Sequence, residues 1–214
     1  MLALVLTPLF PLKAIACFGV AAGVALTRKS RANHPYAAFG PANYVTTARA
    51  GLVSLVAALV GEPRDPAVAA VAALISIVIT MMDGVDGWLA RRSGMSSAFG
   101  ARYDMEVDAL LIMALSLLAW TYDKAGAWVI ASGGLRYLFV VAGWIWPWME
   151  RPLEPSRRRQ TVCVVQIAAL IAVVSPIVTP PASAAIAAAA LAVLAGSFVV
   201  DTWWLVLHRR EQVA

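Results

Sequence analysis

Residues 83–108 read DGVDGWLARRSGMSSAFGARYDMEVD, and they decide how the rest of the chain is understood. Four aspartates, Asp83, Asp86, Asp104 and Asp108, lie in this stretch, between long apolar runs. A carboxylate at membrane depth costs several kcal/mol unless it is paired or ligates a cation, so such residues mark function. Read as a helix, Asp83, Asp86, Gly87, Ala90, Arg91 and Gly94 fall at i, i+3, i+4, i+7, i+8 and i+11, one stripe. Gly87, Ala90 and Gly94 keep side-chain bulk away from the acids, which leaves a groove for a ligand or another backbone. Gly100, Asp104 and Asp108 form a second stripe at i, i+4 and i+8. A loop from Arg92 to Phe99 lets the two helices run antiparallel, so the acids converge at one end.

Four ionised carboxylates repel unless cations neutralise them. Two divalent ions supply the balancing charge, and an all-oxygen ligand set selects hard ions such as Mg²⁺ or Mn²⁺. The bland alternative pairs the acids with Arg91, Arg92 and Arg102. It leaves the glycines at fixed offsets unexplained.

The surrounding composition fits a membrane protein. Of 214 residues, 61% are hydrophobic and 14% charged, against about 25% charged in a soluble domain. Apolar spans are expected at 11–27, 45–61, 66–90, 104–122, 127–148, 160–178 and 183–207, giving an all-α, polytopic transmembrane bundle. The net charge of +5 sits in short loops, without the basic face interleaved with aromatics that nucleic acid requires. Alternating the loops segregates the cations. One side holds thirteen, among them Arg28, Lys29, Arg31, Arg49, Arg91, Arg92, Arg209 and Arg210, and the other only Arg64 and Lys124. The positive-inside rule then puts the 91–103 loop and the aspartates at the cytoplasmic face. Cys17 and Cys163 lie in apolar runs without a CxxC and read as buried small hydrophobes.

The first span is the weakest, because Pro8 and Pro11 disfavour a helix from residue 1 and Lys13 would snorkel outward. An interfacial helix is the alternative. Residues 28–42 read as a linker or as a juxtamembrane helix touching headgroups. His34 and His208 read as interface residues outside the chemistry.

The spacing D-x2-D-G-x2-A-R-x8-G-x3-D-x3-D is filled by Asp83, Asp86, Gly87, Ala90, Arg91, Gly100, Asp104 and Asp108. It resembles the signature of the CDP-alcohol phosphotransferases. Pro41-Ala42-Asn43-Tyr44-Val45-Thr46-Thr47-Ala48-Arg49 is similar to the P-N-x-x-T-x-x-R opening of that family's first core helix. The resemblance implies a six-helix core over 41–210 preceded by an added hydrophobic segment over 1–40. It implies transfer of a phosphatidyl-type group from a CDP-linked lipid to a small alcohol, with release of CMP. By the same analogy Asp83, Asp86, Asp104 and Asp108 hold two metal ions and Asp108 is also the base. Gly87, Ala90, Arg91 and Gly100 would line the cytidine diphosphate site. A homodimer in the bacterial plasma membrane is expected.

Arg136, inside an apolar span, and Arg157, Arg158 and Arg159, which begin the next one, could hold a phosphate on the acceptor. That favours a phosphorylated polyol such as glycerol 3-phosphate. Against this, Arg136 could be a structural pair for an acid such as Asp201, and Arg157–Arg159 a topology anchor. The residues after Asp104, Met105-Glu106-Val107-Asp108-Ala109, lack the D-P-x-A-D-K pattern of phosphatidylglycerophosphate synthases and leave the acceptor open. Glu106 points away from Asp104 around the helix and is placed outside the metal site. Two other classes bury carboxylates in bundles. An ion-coupled carrier would show inverted repeats, and an idle scaffold of the same fold would have lost an aspartate.

Overall fold

The computed structural model describes residues 6–27, 33–151, 153 and 156–208, with backbone alone at 24–27 and 150. Arg28, Lys29, Arg31, Arg209 and Arg210, which enter the charge asymmetry, lie outside the described residues.

Pro41, at the first helical turn, starts α2 (Pro41–Ala58), which follows α1 (Phe10–Thr27). A proline there costs nothing, since that N–H has no helical partner. Asp65 caps α3 (Pro66–Ser93) by accepting from the Ala67 N–H at 2.7 Å. Gly94 ends α3 in the left-handed region, φ 65°, the conformation glycine adopts without penalty. Ser97 then caps α4 (Ala98–Thr121), accepting from the Gly100 N–H at 3.1 Å. The turn expected at 92–99 is therefore built by a C-cap glycine and an N-cap serine in close succession. A short 3₁₀ turn, Ala127–Ile130, leads into α5 (Ala131–Ile145). A second, Pro147–Glu150, precedes α6 (Arg157–Val174) and α7 (Ala182–His208). Among the described residues all regular structure is helical, as the seven apolar spans led one to expect.

Helix α2 packs against α1, α3 and α4, while α4 also packs against α5 and α6. The core between them is aliphatic: Val56, Val68, Ile79, Leu111, Leu115, Leu118 and Leu170 are fully buried. Leu74, Met81, Leu138 and Trp203 face outward, the expected arrangement where the solvent is lipid. Helices α4 and α5 approach closely at Gly133, where a Cβ would lie 2.5 Å from the Met113 Cα.

Three described helical segments are long and apolar enough to cross a membrane: Pro66–Ser93, Ala127–Ile145 and Ala182–His208. Seven apolar spans were expected. Helices α2, α4 and α6 fall short because each begins with polar residues, Asn43 to Arg49, Arg102 to Asp108, and Arg157 to Gln160. The polar segments of α2 and α4 turn toward one another inside the bundle, while Arg158 and Arg159 of α6 face Asp201 on α7. Lys13 is paired at the α2–α3 loop. Its ammonium donates to Glu62 Oε1 and to the Val60 carbonyl, and the Thr7 N–H and hydroxyl donate to the same carboxylate at 2.6 and 2.7 Å. This latch ties α1 to the α2–α3 loop. The Lys13 and Thr7 donors hold the Glu62 carboxyl down at about 2.

Candidate active site

Helices α2, α3 and α4 bring the four aspartates around one side chain, Arg49. Its Nη2 lies 2.9 Å from Asp83 Oδ1 and 2.6 Å from Asp108 Oδ1. Its Nη1 lies 2.7 Å from Asp86 Oδ2 and also bonds Asp104 Oδ1. The guanidinium is 1% exposed, and the carboxylates of Asp83, Asp86, Asp104 and Asp108 are 34%, 6%, 37% and 19% exposed. A planar fork with several donors is the one side chain able to bridge four acids at once.

Arg49 was legible in the sequence only as a letter of the weaker α2 motif. Its place among the acids was not foreseen. Arg91, Arg92 and Arg102, the counter-ions of the bland alternative, do not carry these pairs. The signal was nonetheless present: Asn43, Thr46 and Arg49 recur every three residues, which puts them along one side of α2. All three are buried. Thr46 donates to Asp86 Oδ2 at 3.1 Å.

The acids divide by position. Oxygens of Asp83, Asp104 and Asp108 lie within 4.8 Å of one another and could hold a metal ion. Asp86 lies outside that trio and turns inward onto Arg49 and Thr46. With four carboxylates against one guanidinium, three negative charges remain in a small volume. Hard oxygen donors, close spacing and excess negative charge all fit a divalent ion.

A cavity of about 150 Å³ adjoins the cluster, lined by residues that include Asn43, Thr46, Asp86, Gly87, Ala90, Ser97, Gly100 and Asp104. Five of the predicted motif positions thus meet Asn43 and Ser97, which had no assigned role. The small residues matter sterically. A Cβ on Gly100 would come within 2.9 Å of Asn43 Oδ1, and one on Gly87 within 3.4 Å of Arg91 Nη1. The Arg91 guanidinium therefore lies over Gly87 at the edge of this cavity.

The residues assigned to an acceptor are drawn into other pairs. Arg136 donates to Glu106 Oε1 at 2.7 Å, not to Asp201. Close packing at Gly133 sets α5 against α4 and delivers Arg136 to Glu106 instead. Asp201 accepts from Arg158 and, at 3.2 Å, from Arg159. Arg157 is exposed. Both cysteines are free, and the Cys163 thiol lies 3.9 Å from Asp108 Oδ2. Far from being an interface residue, His34 is 3% exposed and joins the α4 cap through Ser97.

No curated protein and no solved structure matches the chain. The model of one family, CDP-alcohol phosphatidyltransferase, matches residues 39–205, a stretch that takes in α2 to α6 and most of α7 and leaves α1 outside. That family transfers a phosphatidyl group from a CDP-alcohol to an acceptor, and the carboxylate cluster and apolar helices described here suit such a reaction in a membrane. This chain, an integral membrane protein, belongs to the CDP-alcohol phosphatidyltransferase family.

Proposed function

We propose that the protein transfers the phosphatidyl group of CDP-diacylglycerol to the hydroxyl of a small alcohol and releases CMP at the cytoplasmic face of a bacterial plasma membrane. The observation that carries this reading is the trio Asp83, Asp104 and Asp108 beside a cavity lined by Asp86, Gly87, Ala90 and Gly100. In the proposal Asp83, Asp86, Asp104 and Asp108 hold two ions, Mg²⁺ or Mn²⁺. Bound there, the ions supply Lewis-acid polarisation of the diphosphate and charge for the leaving phosphate.

The chain's own groups do the positioning on which phosphoryl transfer depends. Gly87, Ala90 and Gly100 leave room for the nucleotide, and Arg91, held over Gly87, reaches its phosphates. Arg49 fixes the carboxylate rotamers by bonding all four. Asp108 accepts the proton of the acceptor hydroxyl. The acceptor oxygen forms a bond to the phosphorus that bears the lipid, the diphosphate P–O bond breaks, and CMP leaves.

A phosphorylated acceptor, glycerol 3-phosphate first, is proposed to enter from the α6 side. Arg159 lies four residues before Cys163, so one helical turn, about 6 Å, separates it from the residue that touches Asp108. Arg157 and Arg158 flank it, and Arg136 contributes from α5. The domain assignment, 1–40 as an added segment and 41–210 as the catalytic unit, and a homodimeric state belong to the same proposal.

Purified protein with Mg²⁺ or Mn²⁺ should release CMP from CDP-diacylglycerol when given a panel of alcohols that includes glycerol 3-phosphate. Asp108→Asn should abolish turnover while sparing nucleotide binding. Absence of CMP across the panel with both metals sinks the reading. Activity with unphosphorylated alcohols alone sinks the acceptor assignment.

A further inference from the structure

Five contacts pin the segment 33–40, which precedes the first core helix, onto the α3–α4 turn. The Asn33 carbonyl accepts from the Phe99 N–H at 3.0 Å. The Tyr36 hydroxyl lies 3.0 and 3.1 Å from the carbonyls of Gly94 and Ser96. Gly40, at φ 87°, comes so close to Met95 that a Cβ would be 3.4 Å from its Cε. The fifth contact is the His34 ring, with Nδ1 3.2 Å from Ser97 Oγ and Nε2 3.0 Å from the Ala38 carbonyl. Met95, Ser96 and Ser97 are also walls of the cavity beside Asp86 and Asp104.

The hydrogen-bond directions follow from chemistry. A carbonyl only accepts, so Nε2 carries the proton, and Nδ1 of the neutral ring is then an acceptor. Ser97 therefore donates its hydroxyl hydrogen to Nδ1, and its oxygen accepts from the Gly100 N–H at 3.1 Å. The chain runs from Gly100 N–H to Ser97 to His34 to Ala38, and two of its members, Ser97 and Gly100, face the cavity. The ring also packs edge-on to Phe99, with centroids 5.5 Å apart.

We propose that His34 is a positioning residue for the nucleotide donor: by accepting from Ser97 it fixes the cap of α4 and the wall of the cavity that receives the CDP group. The residue precedes the stretch matched by the family model, 39–205. The inference rests on the cavity being the CDP-binding site.

The test compares two substitutions that lose the same ring. In His34→Asn the amide oxygen can overlay Nδ1 and keep the Ser97 bond. In His34→Gln the amide nitrogen overlays Nε2 and keeps only the Ala38 bond. Loss of packing is common to both, so their difference reports the Ser97 contact. CDP binding to the purified full chain with Mg²⁺ is measured by calorimetry, and KM for donor and acceptor by CMP release. His34→Gln should weaken CDP binding and raise donor KM about tenfold, roughly 1.4 kcal/mol, with acceptor KM unchanged. His34→Asn should stay within about threefold of the wild type. Ser97→Ala should match His34→Gln, and the double variant should be no worse than Ser97→Ala alone.

Equal effects of the two His34 substitutions, or additive effects in the double variant, overturn the role of His34. If His34→Gln fails to fold, Ser97→Ala decides on its own, and unchanged CDP affinity in that variant overturns the proposal. Wild-type protein that binds no CDP refutes the donor-site reading instead, and the two failures are thereby told apart.

Discussion

Replacing Arg49 by Met tests the electrostatic logic of the whole site, because it removes the one cation that bonds all four acids while nearly keeping volume. At an effective dielectric of about 20, two unit charges 4.8 Å apart repel by about 3.5 kcal/mol. The three pairs among Asp83, Asp104 and Asp108, which come within that distance, therefore cost about 10 kcal/mol. Arg49, with its charge about 4 Å from each acid, returns about 4 kcal/mol per pair. Much of that gain is offset by desolvating a guanidinium that is 1% exposed. Removing one partner of a buried ionic group typically costs about 3–5 kcal/mol net. At about 2–4 °C per kcal/mol for a chain of this size, the midpoint should fall by about 10 °C in EDTA. The eight tryptophans provide a fluorescence signal for thermal unfolding in detergent. Saturating Mg²⁺ should raise the variant's midpoint by more than the wild type's, since the site charge goes from −3 to −4. An unchanged midpoint in EDTA, or a smaller Mg²⁺ shift in the variant, would refute the account of Arg49 as the resident counter-ion of a divalent site.

Three further outcomes are expected. Gly133→Ala places a Cβ 2.5 Å from the Met113 Cα, so α4 and α5 must part. Such overpacking costs about 1–3 kcal/mol, read as a midpoint lower by about 5 °C, and a shift in the Glu106–Arg136 pair should accompany it. Gly100→Ala pushes on Asn43 and should raise donor KM several-fold with acceptor KM unchanged in steady-state assays. Glu62, held at about 2 against an ordinary 4.5, contributes stability that is complete above about 4.5 and lost as pH falls through about 2. The gap in unfolding midpoint between wild type and Glu62→Gln should thus be constant from pH 7 to about 5 and close below that.

The fold was legible from the apolar runs, and the helix–loop–helix around the acids from two stripes and a glycine-containing turn. What could not be read was pairing across elements. Glu106 and Arg136 are thirty residues apart, and nothing local tells Arg136 to choose Glu106 over Asp201. That choice follows from Gly133, whose missing side chain lets α5 lie directly on α4. His34 was read as an interface residue because its neighbours in sequence are ordinary linker residues, and only the folding of 33–40 over the α3–α4 turn brings it to Ser97. Among the described residues, three helical segments are on their own long and apolar enough to cross a membrane. Helices α2 and α4 spend their first turns on the site's polar residues, and α6 opens on arginines that face α7.

By itself the sequence determined the helical class, the two acid-bearing stripes and the family motif, all properties of spacing along a single helix or turn. Those follow from the 3.6-residue period, which fixes what shares a face before any tertiary contact forms. The tertiary structure decided which acid faces which partner. It drew Asp86 inward to Thr46 and Arg49, left Asp83, Asp104 and Asp108 as the trio able to hold an ion, and placed Arg49 among them. Those outcomes depend on helix packing and on the burial of charge. Both act between segments far apart in the chain, where residue spacing carries no information.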